Sequence, residues 1–313
     1  MTRIALLGPQ RHQPNVGEIA VSLGVKGRLA VITAGWQERE AEIEELDAIL
    51  EHPAVNLKLH QRAERIFLGE PSFREAHRAH QNHIKKLQGL YRIRLGHLMN
   101  AVRDLLDRRD EHKEDPLIEG EIRAAMRSVT KLDRFHISRL RQLHHDFQEK
   151  WTLGHASLLM DHHYELADIL RDCDGVLIAG GHVAVLLNRL RLLKMASLIR
   201  GKTIIAWSAG AMALGEKIVL FHDTPPQGSG YAEVFEAGLG LYPGVVPLPH
   251  AAKRLRLDDP TRVTMFAGRF PEDKCLTFDE GSSLIMEGES WRESNKVRQL
   301  KVNGKVEVME VGF

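Results

Sequence analysis

Ser208 stands where a buried strand would turn into a helix, and a serine in that position could act as a nucleophile. The apolar run Thr203–Trp207 is typical of a buried strand, and the small residues Ala209–Gly215 are typical of a closely packed helix. At a sharp strand-to-helix turn the hydroxyl is held out of the sheet, and the free N–H groups of the helix face a developing oxyanion. The same pattern also fits a serine that only caps a helix, so other residues must decide between the two.

The preceding predicted strand ends in a glycine pair that could face the same substrate atom. The run Gly175–Ala179 is short and apolar, and Gly180 and Gly181 follow it and lead into a predicted helix, Val183–Ile199. Ligands of parallel sheets bind beyond the carboxyl ends of the strands, and glycine lets the backbone approach them closely. We therefore expect the N–H groups of Gly181 and Ala209 to meet around one substrate oxygen. A plain strand-to-helix turn is the alternative.

A nucleophilic serine needs a base beside it and a carboxylate that orients the base. Asp223, His250 and Glu280 each stand at a predicted strand end or turn. Glu280 follows an apolar strand, so its side chain can point along the edge of the sheet where Ser208 is expected. Asp223 precedes Thr224–Pro226, and an aspartate in such a position often accepts N–H groups of its own turn. Glu280 is therefore the favoured orienter, with Asp223 as the alternative.

The composition excludes several classes of protein. The 313 residues include 43 basic and 42 acidic side chains, so no overall charge favours binding to nucleic acid or to an anionic membrane. Cys173 and Cys275 are the only cysteines, too few for a disulfide framework or a thiolate zinc site. No stretch stays apolar for the roughly 18 residues of a membrane span. We expect a cytoplasmic protein with no metal, no cofactor, and no nucleic-acid or membrane partner.

Short apolar runs alternate with helical patterns in much of the chain. Arg3–Gly8 and Leu29–Gly35 predict two buried strands, and Val55–Leu59 predicts a third. Glu38–Glu51 has apolar residues at helical spacing and predicts a helix. Gln299–Val311 contains an Asn-Gly pair and predicts a β-hairpin. The sequence therefore predicts an α/β protein with a mostly parallel sheet flanked by helices and a C-terminal β-hairpin.

Residues 72–150 have a different pattern, in which charged residues alternate with apolar ones at helical spacing. Two apolar stripes, interrupted at Asp115-Pro116, predict a long antiparallel helical hairpin. We therefore divide the chain into an α/β catalytic domain, residues 1–71 and 151–313, and an inserted helical hairpin, residues 72–150. The stripes could pack on the protein's own core or on a second copy, so a homodimer stays open.

Most of the histidines fall in or near this segment. His77, His80 and His83 recur at three-residue spacing, which spreads them over about 120° of a helix surface and is poorly suited to one metal ion. We expect these side chains to be solvated on a charged helix. The same expectation holds for His144, His145, His162 and His163.

Several of these stretches occur in an order that resembles a known family. They are Gly180-Gly181, Trp207–Ala211, Asp223–Pro225, Gly238–Leu241, Pro249-His250 and Asp279–Gly281. In this order they resemble the aspartyl dipeptidase (peptidase E) and cyanophycinase family of serine peptidases. The fold of that family is similar to that of class I glutamine amidotransferases, which implies a flavodoxin-like strand order here.

The resemblance implies a role for each candidate residue. Ser208 would be the nucleophile, His250 the general base and Glu280 its carboxylate partner, with oxyanion donors from Gly181 and Ala209. Asp223 corresponds to an aspartate that is also linked to activity in the dipeptidase branch, and it stays the alternative third member of the triad. The resemblance thus implies a serine exopeptidase, dipeptidase or isopeptidase that cleaves a small peptide through an acyl-enzyme.

Substrate binding is expected around the glycine turn and after the base. Gly180 lies in the turn, and His182 stands where family members usually have Asn or Asp, which leaves the substrate class open. Arg254 and Arg256 could hold a substrate carboxylate, which would favour an acidic peptide; solvated helix charges are the alternative. A catalytically silent member that binds a partner through the hairpin is the alternative function. Glutamine amidotransfer fits poorly, because that chemistry uses a cysteine thiolate where Ser208 stands.

Overall fold

A computed structural model describes residues 2–111, 115–152, 157–223, 231–288 and 290–311 of the chain. The strands in these residues are β1 (Arg3–Leu7), β2 (Arg28–Ile32), β3 (Ala54–Asn56), β4 (Cys173–Ile178), β5 (Thr203–Trp207), β6 (Lys217–Leu220), β7 (Glu233–Ala237), β8 (Val245–Pro249), β9 (Lys274–Phe278), β10 (Ser283–Glu287), β11 (Ser290–Asn295), β12 (Arg298–Leu300) and β13 (Val306–Val308). The helices are α1 (Val16–Ser22), α2 (Glu44–Asp47), α3 (Leu59–Gly69), α4 (Pro71–Glu111), α5 (Pro116–Thr152), α6 (Ser157–Arg171), α7 (Val183–Leu192), α8 (Met195–Leu198), α9 (Ala209–Leu214), α10 (Ala251–Arg254) and α11 (Pro260–Arg269), with a 3-10 helix at Ala34–Arg39.

The main sheet has the strand order β11-β10-β1-β5-β4-β2-β3. The five strands from β1 to β3 in this order are parallel, whereas β10 and β11 are antiparallel to their neighbours. Alternate residues of β1 belong to different hydrophobic clusters, Ile4 and Leu6 to one and Ala5 and Leu7 to the other. Both faces of the sheet are therefore covered, which explains why its strands are continuously apolar. The predicted α/β fold with a mostly parallel sheet is confirmed.

The strand order is flavodoxin-like in four of the five parallel strands. A flavodoxin-like sheet has the order 2-1-3-4-5, with the strands numbered along the chain. When β2 is counted as the first strand, the run β3-β2-β4-β5 has the order 2-1-3-4, which matches the first four positions. The place beside β5 is taken by β1, the first strand of the chain. As a result β5, which leads to Ser208, lies between β1 and β4 in the middle of the sheet.

A second sheet, with the order β13-β12-β9-β8, carries His250 at the end of β8. The acidic turn, residues 279–282, joins β9 to β10, and these two strands belong to different sheets. This turn lies against the end of β1, because the Gly8 N–H donates a 3.0 Å hydrogen bond to the Ser282 carbonyl. The contact is so close that a Cβ atom on Gly8 would lie 1.9 Å from the Asp279 carbonyl oxygen. The turn thus brings the second sheet to the edge where the strands β1 and β5 end.

The predicted helical hairpin is present as α4 and α5. Side-chain contacts pair Tyr91 with Asp133 and His80 with His144, so the two helices run antiparallel. The hairpin also contacts β7, where the Val234 N–H donates to the Tyr91 hydroxyl at 3.0 Å. Its buried side chains belong to the same hydrophobic cluster as one face of the main sheet. No helix in the described ranges is both long enough and apolar enough to span a membrane.

Two predicted helices are wrong in extent. The segment Glu38–Glu51 contains only the end of the 3-10 helix and the four-residue α2. Just before this segment, Gln37 has φ 59°, which is not a helical conformation. The predicted helix Val183–Ile199 stops at Leu192, because Lys194 adopts φ 52° before the short α8 begins. The C-terminal β-hairpin is confirmed, with β12 paired to β13.

Candidate active site

Ser208 occupies a strained turn between β5 and α9. Its backbone has φ 51° and ψ −118°, a combination that costs a non-glycine residue about 1–3 kcal/mol. Two glycines permit this turn. A Cβ atom on Gly210 would lie 2.3 Å from the Ile178 carbonyl oxygen, and one on Gly180 would lie 3.0 Å from Ser208 Cβ. The start of α9 therefore packs closely against the end of β4, with Ser208 at the junction.

The glycine turn after β4 lies beside the N-terminus of α9. A Cβ atom on Gly180 would be 3.6 Å from the Ala209 nitrogen, so the two predicted oxyanion donors belong to adjoining turns. Gly181 has φ 112° and lies so close to Gly35 that a Cβ atom would be 2.5 Å from the Gly35 carbonyl oxygen. Ala209 is the first residue of α9, so its N–H has no partner within the helix. Both N–H groups are thus placed at the edge of the sheet where Ser208 lies.

His182 caps the next helix. Its Nδ1 accepts a hydrogen bond from the Val185 N–H at 3.3 Å, and its backbone N–H donates to the Gly35 carbonyl at 2.8 Å. The residue is exposed, and no hydrogen bond of its Nε2 is found among the described residues. The histidine therefore fixes the start of α7, and a role in substrate binding rests on its second ring nitrogen alone.

His250 has a left-handed backbone conformation, φ 59° and ψ 33°, between β8 and α10. Its N–H donates to the Phe278 carbonyl at 3.0 Å, which ties it to the end of β9 next to the acidic turn. The strand β8 also packs against α9. His250, which follows β8, and Ser208, which precedes α9, are therefore attached to two elements that are in contact. In the part of the chain that the structure describes, no hydrogen bond joins the His250 ring to Ser208, Asp223 or Glu280.

Burial lowers the pKa of His250, and the nearby charges of Arg254 and Lys253 lower it further. Asp279 and Glu280 act in the opposite direction and stabilise the imidazolium. The balance keeps the imidazole neutral at neutral pH, the state in which it can accept a proton from a serine. The acidic turn therefore supplies the carboxylates whose charges reach His250.

Asp223 is held by other partners. Its side chain is 3% exposed and accepts hydrogen bonds from Arg262 Nε and from the Arg256 N–H, both at 2.8 Å. These contacts tie Asp223 to the segment after α10 and to the first turn of α11. Residues 224–226, on which the expected role in its own turn rested, lie outside the described residues.

Glu280 and Asp279 differ in how firmly they are engaged. Glu280 has one contact among the charged groups of the described chain, the exposed ammonium of Lys253 at 3.4 Å. Asp279 Oδ1 accepts a hydrogen bond from the Ala252 N–H at 3.0 Å, and its Oδ2 lies 3.6 Å from Arg298 Nη2. The influence of Asp279 on the His250 pKa exceeds that of Glu280. Sequence reasoning missed Asp279, although its position next to Glu280 was a usable signal.

The two candidate arginines after His250 also differ. Arg256 is exposed and pairs with Asp259 at 3.6 Å. Arg254 is half-buried, with its guanidinium carbon 6.0 Å from the centre of the Phe221 ring, and burial lowers its pKa. None of the ion pairs found among the described residues includes Arg254. Arg254 is thus the better placed of the two to receive an anionic group from a ligand.

Neither metal ligation nor thiol chemistry stands out near these residues. Within the described ranges, no group of three or more His, Cys, Asp or Glu side chains is arranged to hold a metal ion. Cys173 and Cys275 are buried, and burial raises the pKa of each thiol. The nucleophile candidate of the site is therefore the Ser208 hydroxyl.

The fold and these turns define an α/β protein with a strained serine between a central strand and a helix. The model of peptidase family S51 matches residues 126–294, more than half of the chain, and this range includes Ser208, His250 and Glu280. The chain therefore belongs to peptidase family S51. No curated protein matches the sequence.

Solved structures similar to this chain include two that are described as peptidases. One is a peptidase from an acI-B1 Actinobacterium, with 15% identity and a TM-score of 0.48, where the match covers 100% of this chain and 96% of that one. The other is a putative peptidase E protein from Listeria monocytogenes EGD-e, with 19% identity and a TM-score of 0.30, where the match covers 44% of this chain and 65% of that one.

Proposed function

We propose that this member of peptidase family S51 is a serine peptidase that cleaves small peptides through an acyl-enzyme on Ser208. The observation that carries the proposal is the strained Ser208 backbone, φ 51°, held against the glycine turn inside the family match. A serine that only capped a helix would not need such a conformation, since helix-capping residues normally have extended backbone angles. The side chain of Ser208 also makes no capping hydrogen bond to α9.

The proposed reaction uses these groups in turn. Ser208 Oγ attacks the scissile carbonyl carbon while His250 accepts the hydroxyl proton. The N–H groups of Gly181 and Ala209 hold the negative oxygen of the tetrahedral intermediate. His250 then gives the proton to the leaving amine, and a water molecule, activated in the same way, releases the acyl group. A carboxylate of the acidic turn stabilises the imidazolium that forms between these steps.

Glu280 is our choice for that carboxylate. Asp223 is bound to Arg262 and to the Arg256 N–H, and Asp279 accepts a hydrogen bond from the first turn of α10. Among the described residues Glu280 pairs only with the exposed Lys253, at 3.4 Å, so its oxygens can turn toward a neighbouring imidazole at little cost.

Arg254 supports a preference for acidic substrates. Arg254 is half-buried and has no carboxylate partner among the residues that the structure describes, so a ligand carboxylate would stabilise it through two parallel hydrogen bonds. Arg254 is close enough to His250 for its charge to lower the His250 pKa, which supports a carboxylate site near the scissile bond of a small peptide. Cleavage of a dipeptide or of an isopeptide bond at an acidic residue fits this arrangement.

A fluorophosphonate probe tests the nucleophile. We expect stoichiometric labelling of the folded protein and loss of labelling in Ser208→Ala, with Ser128→Ala as a control whose exposed hydroxyl bonds to the Ala124 carbonyl. Absence of labelling in the folded wild-type protein would instead favour a catalytically silent member that binds a partner.

Two matched dipeptides test the substrate class. Asp-Leu and Asn-Leu have nearly the same shape and differ by one charge. We expect faster cleavage of Asp-Leu, and we expect Arg254→Met to remove the difference while Arg256→Met keeps it. Equal cleavage of both dipeptides by the wild-type enzyme would rule out recognition of an acidic side chain and leave the serine chemistry intact.

A further inference from the structure

A cavity of about 370 Å³ lies between the helical hairpin and the α/β part of the protein. Its walls come from α4, α5, α6, α7 and β7, and it includes none of Ser208, His250, Glu280 or Arg254. Its volume is in the range of pockets that hold small organic ligands. The cavity is therefore a second concave site, distinct from the candidate active site.

One wall of the cavity is aromatic. Phe73 and Trp151 meet edge to face with ring centres 5.5 Å apart, and Phe147 stacks on the His80 ring at 4.4 Å. All four side chains line the cavity. Planar rings arranged in this way favour an aromatic or branched apolar group, because such a group buries much apolar area in a rigid slot.

The histidines of the cavity are neutral polar groups. Burial lowers the pKa of His80 to about 4 and also lowers the pKa of His144. His80 Nε2 lies 3.1 Å from His144 Nδ1, and His144 Nε2 lies 3.2 Å from the Glu236 carboxylate. Glu236 also pairs with Arg191 at 3.5 Å. These groups satisfy one another and contribute little net charge to the cavity.

The remaining charge of the lining is positive. Arg92 is bound by Glu233 through two hydrogen bonds of 2.6 and 2.8 Å, so its charge is already compensated. Lys85 and Lys194 also line the cavity, and no ion pair of the described residues includes either of them. Lys85 is exposed, whereas Lys194 is half-buried in the turn between α7 and α8, and burial lowers its pKa. A half-buried ammonium group at a mainly apolar cavity is stabilised by an anion.

We propose that this cavity binds a small carboxylate with an aromatic or branched apolar body, with Lys194 as the counter-ion of the carboxylate. Phe73, Phe147 and Trp151 hold the body of the ligand, and the neutral imidazoles of His80 and His144 give it a polar edge. The site is independent of the peptidase chemistry, since it shares no residue with the Ser208 site.

Three naphthyl compounds test the proposal by isothermal titration calorimetry on the whole protein. They are 2-naphthylacetate, 2-naphthylacetamide and 2-(2-naphthyl)ethylammonium, which share the ring and differ in charge. We expect the carboxylate to bind about tenfold or more tightly than the amide, as one half-buried ion pair provides, and the ammonium compound to bind most weakly. We expect Lys194→Gln to lower the affinity for the carboxylate about tenfold, and Lys194→Arg to retain it. Lys86→Gln, on the exposed side of α4 and outside the lining, should have no effect.

Two further variants locate the binding. Ala184→Trp places a large side chain in the cavity without changing its charge, and we expect it to abolish binding of all three compounds. Ser208→Ala should bind the carboxylate like the wild-type protein, which separates this site from the active site. The proposal is overturned if the amide or the ammonium compound binds as tightly as the carboxylate, if a folded Lys194→Gln variant keeps full affinity, if a folded Ala184→Trp variant still binds, or if no binding occurs at millimolar concentrations.

Discussion

The Arg269 guanidinium holds the Asp133 carboxylate through two hydrogen bonds inside the protein, Nε to Oδ2 at 2.7 Å and Nη2 to Oδ1 at 2.9 Å. The two side chains are 3% and 7% exposed. Arg269 Nη2 also bonds to the Tyr91 hydroxyl at 2.8 Å, so one residue of α11 connects to both helices of the hairpin. The hairpin is thus joined to the α/β part by a buried charged group as well as by apolar contacts.

Removing this guanidinium should destabilise the whole protein. We expect Arg269→Met to lower the free energy of unfolding by about 3–5 kcal/mol, because Asp133 is then left as an uncompensated buried charge. The neighbouring pair of Arg134 and Glu272 has the same 2.7 Å separation but is 59% and 72% exposed. Arg134→Met should therefore cost less than about 1 kcal/mol in denaturant unfolding. Similar losses in the two variants would show that the buried pair does not join the hairpin to the rest of the protein.

The carboxylate that orients His250 can be identified from turnover rates. We expect Glu280→Gln to lower kcat by up to about 10⁴-fold, because an imidazole in the wrong tautomer cannot accept the serine proton. Asp223→Asn should mainly lower stability, because it weakens the bonds to Arg262. A nearly normal Glu280→Gln enzyme beside an inactive but folded Asp279→Asn enzyme would assign the role to Asp279.

The two proposed proton-transfer residues should act as a unit. We expect Ser208→Ala and His250→Ala each to lower hydrolysis by orders of magnitude, and the double variant to be little worse than either. Steady-state kinetics of the three proteins checks this expectation. Additive losses would contradict a shared proton transfer.

The acid limb of the pH profile should report on His250. Burial and the charges of Arg254 and Lys253 lower its pKa from the ordinary value of 6.5, so kcat/KM should fall only as the pH drops below that value. Lys253→Met removes one of these charges and should move the limb to higher pH. Lys274→Met, at an exposed position of β9, serves as the control. A limb that stays in place or moves to lower pH would argue against His250 as the base.

The strain at Ser208 should appear as a difference between two inactive variants. Ser208→Ala and Ser208→Gly both lack the hydroxyl, but only glycine adopts φ 51° and ψ −118° without steric cost. After the larger entropy of glycine in the unfolded chain is included, we expect Ser208→Gly to be more stable than Ser208→Ala by about 1 kcal/mol. Denaturant unfolding measures the difference, and a more stable alanine variant would contradict the strained turn.

The strands that carry the site could be predicted from the sequence because each is a short apolar run. The expected runs before Ser208, Gly180 and His250 correspond to β5, β4 and β8. The parallel pairing of β4 with β5 followed from the alternation of strands with helical patterns, whereas the position of β8 in a second sheet did not. The sequence could also predict that the glycine turn lies beside the serine turn, because neighbouring parallel strands end at the same edge of a sheet.

The failed helix at Glu38–Glu51 has a tertiary cause. Glu40 is fully buried and accepts hydrogen bonds from the His60 and Gln61 N–H groups at 2.8 and 2.9 Å. The Glu40 carboxylate thus caps the first turn of α3, twenty residues away in the chain. Burial raises the pKa of Glu40 even though these two N–H groups oppose the shift. Helical spacing of apolar residues cannot reveal such a contact.

The expectation of solvated histidines was right only for some of them. His83 and His145 are exposed, but His162 is buried and the rings of His80 and His144 are partly covered by α7 and β7. His77 and His163 are partly buried as well. A charged helix does not indicate which of its faces another element will cover, so the cavity could not be foreseen.

The pairing of β1 with both β5 and β10 has a consequence for biosynthesis. A ribosome makes β1 before β5 and β10, so the β1 edge that pairs with β10 must wait for residues around position 285. A nascent chain therefore carries the serine strand and an open apolar edge long before it carries the acidic turn beside His250. Contacts between residues so distant in sequence form slowly, so the emerging chain needs protection from aggregation during that interval. Any hydrolytic activity that depends on the acidic turn can begin only after translation has passed that turn.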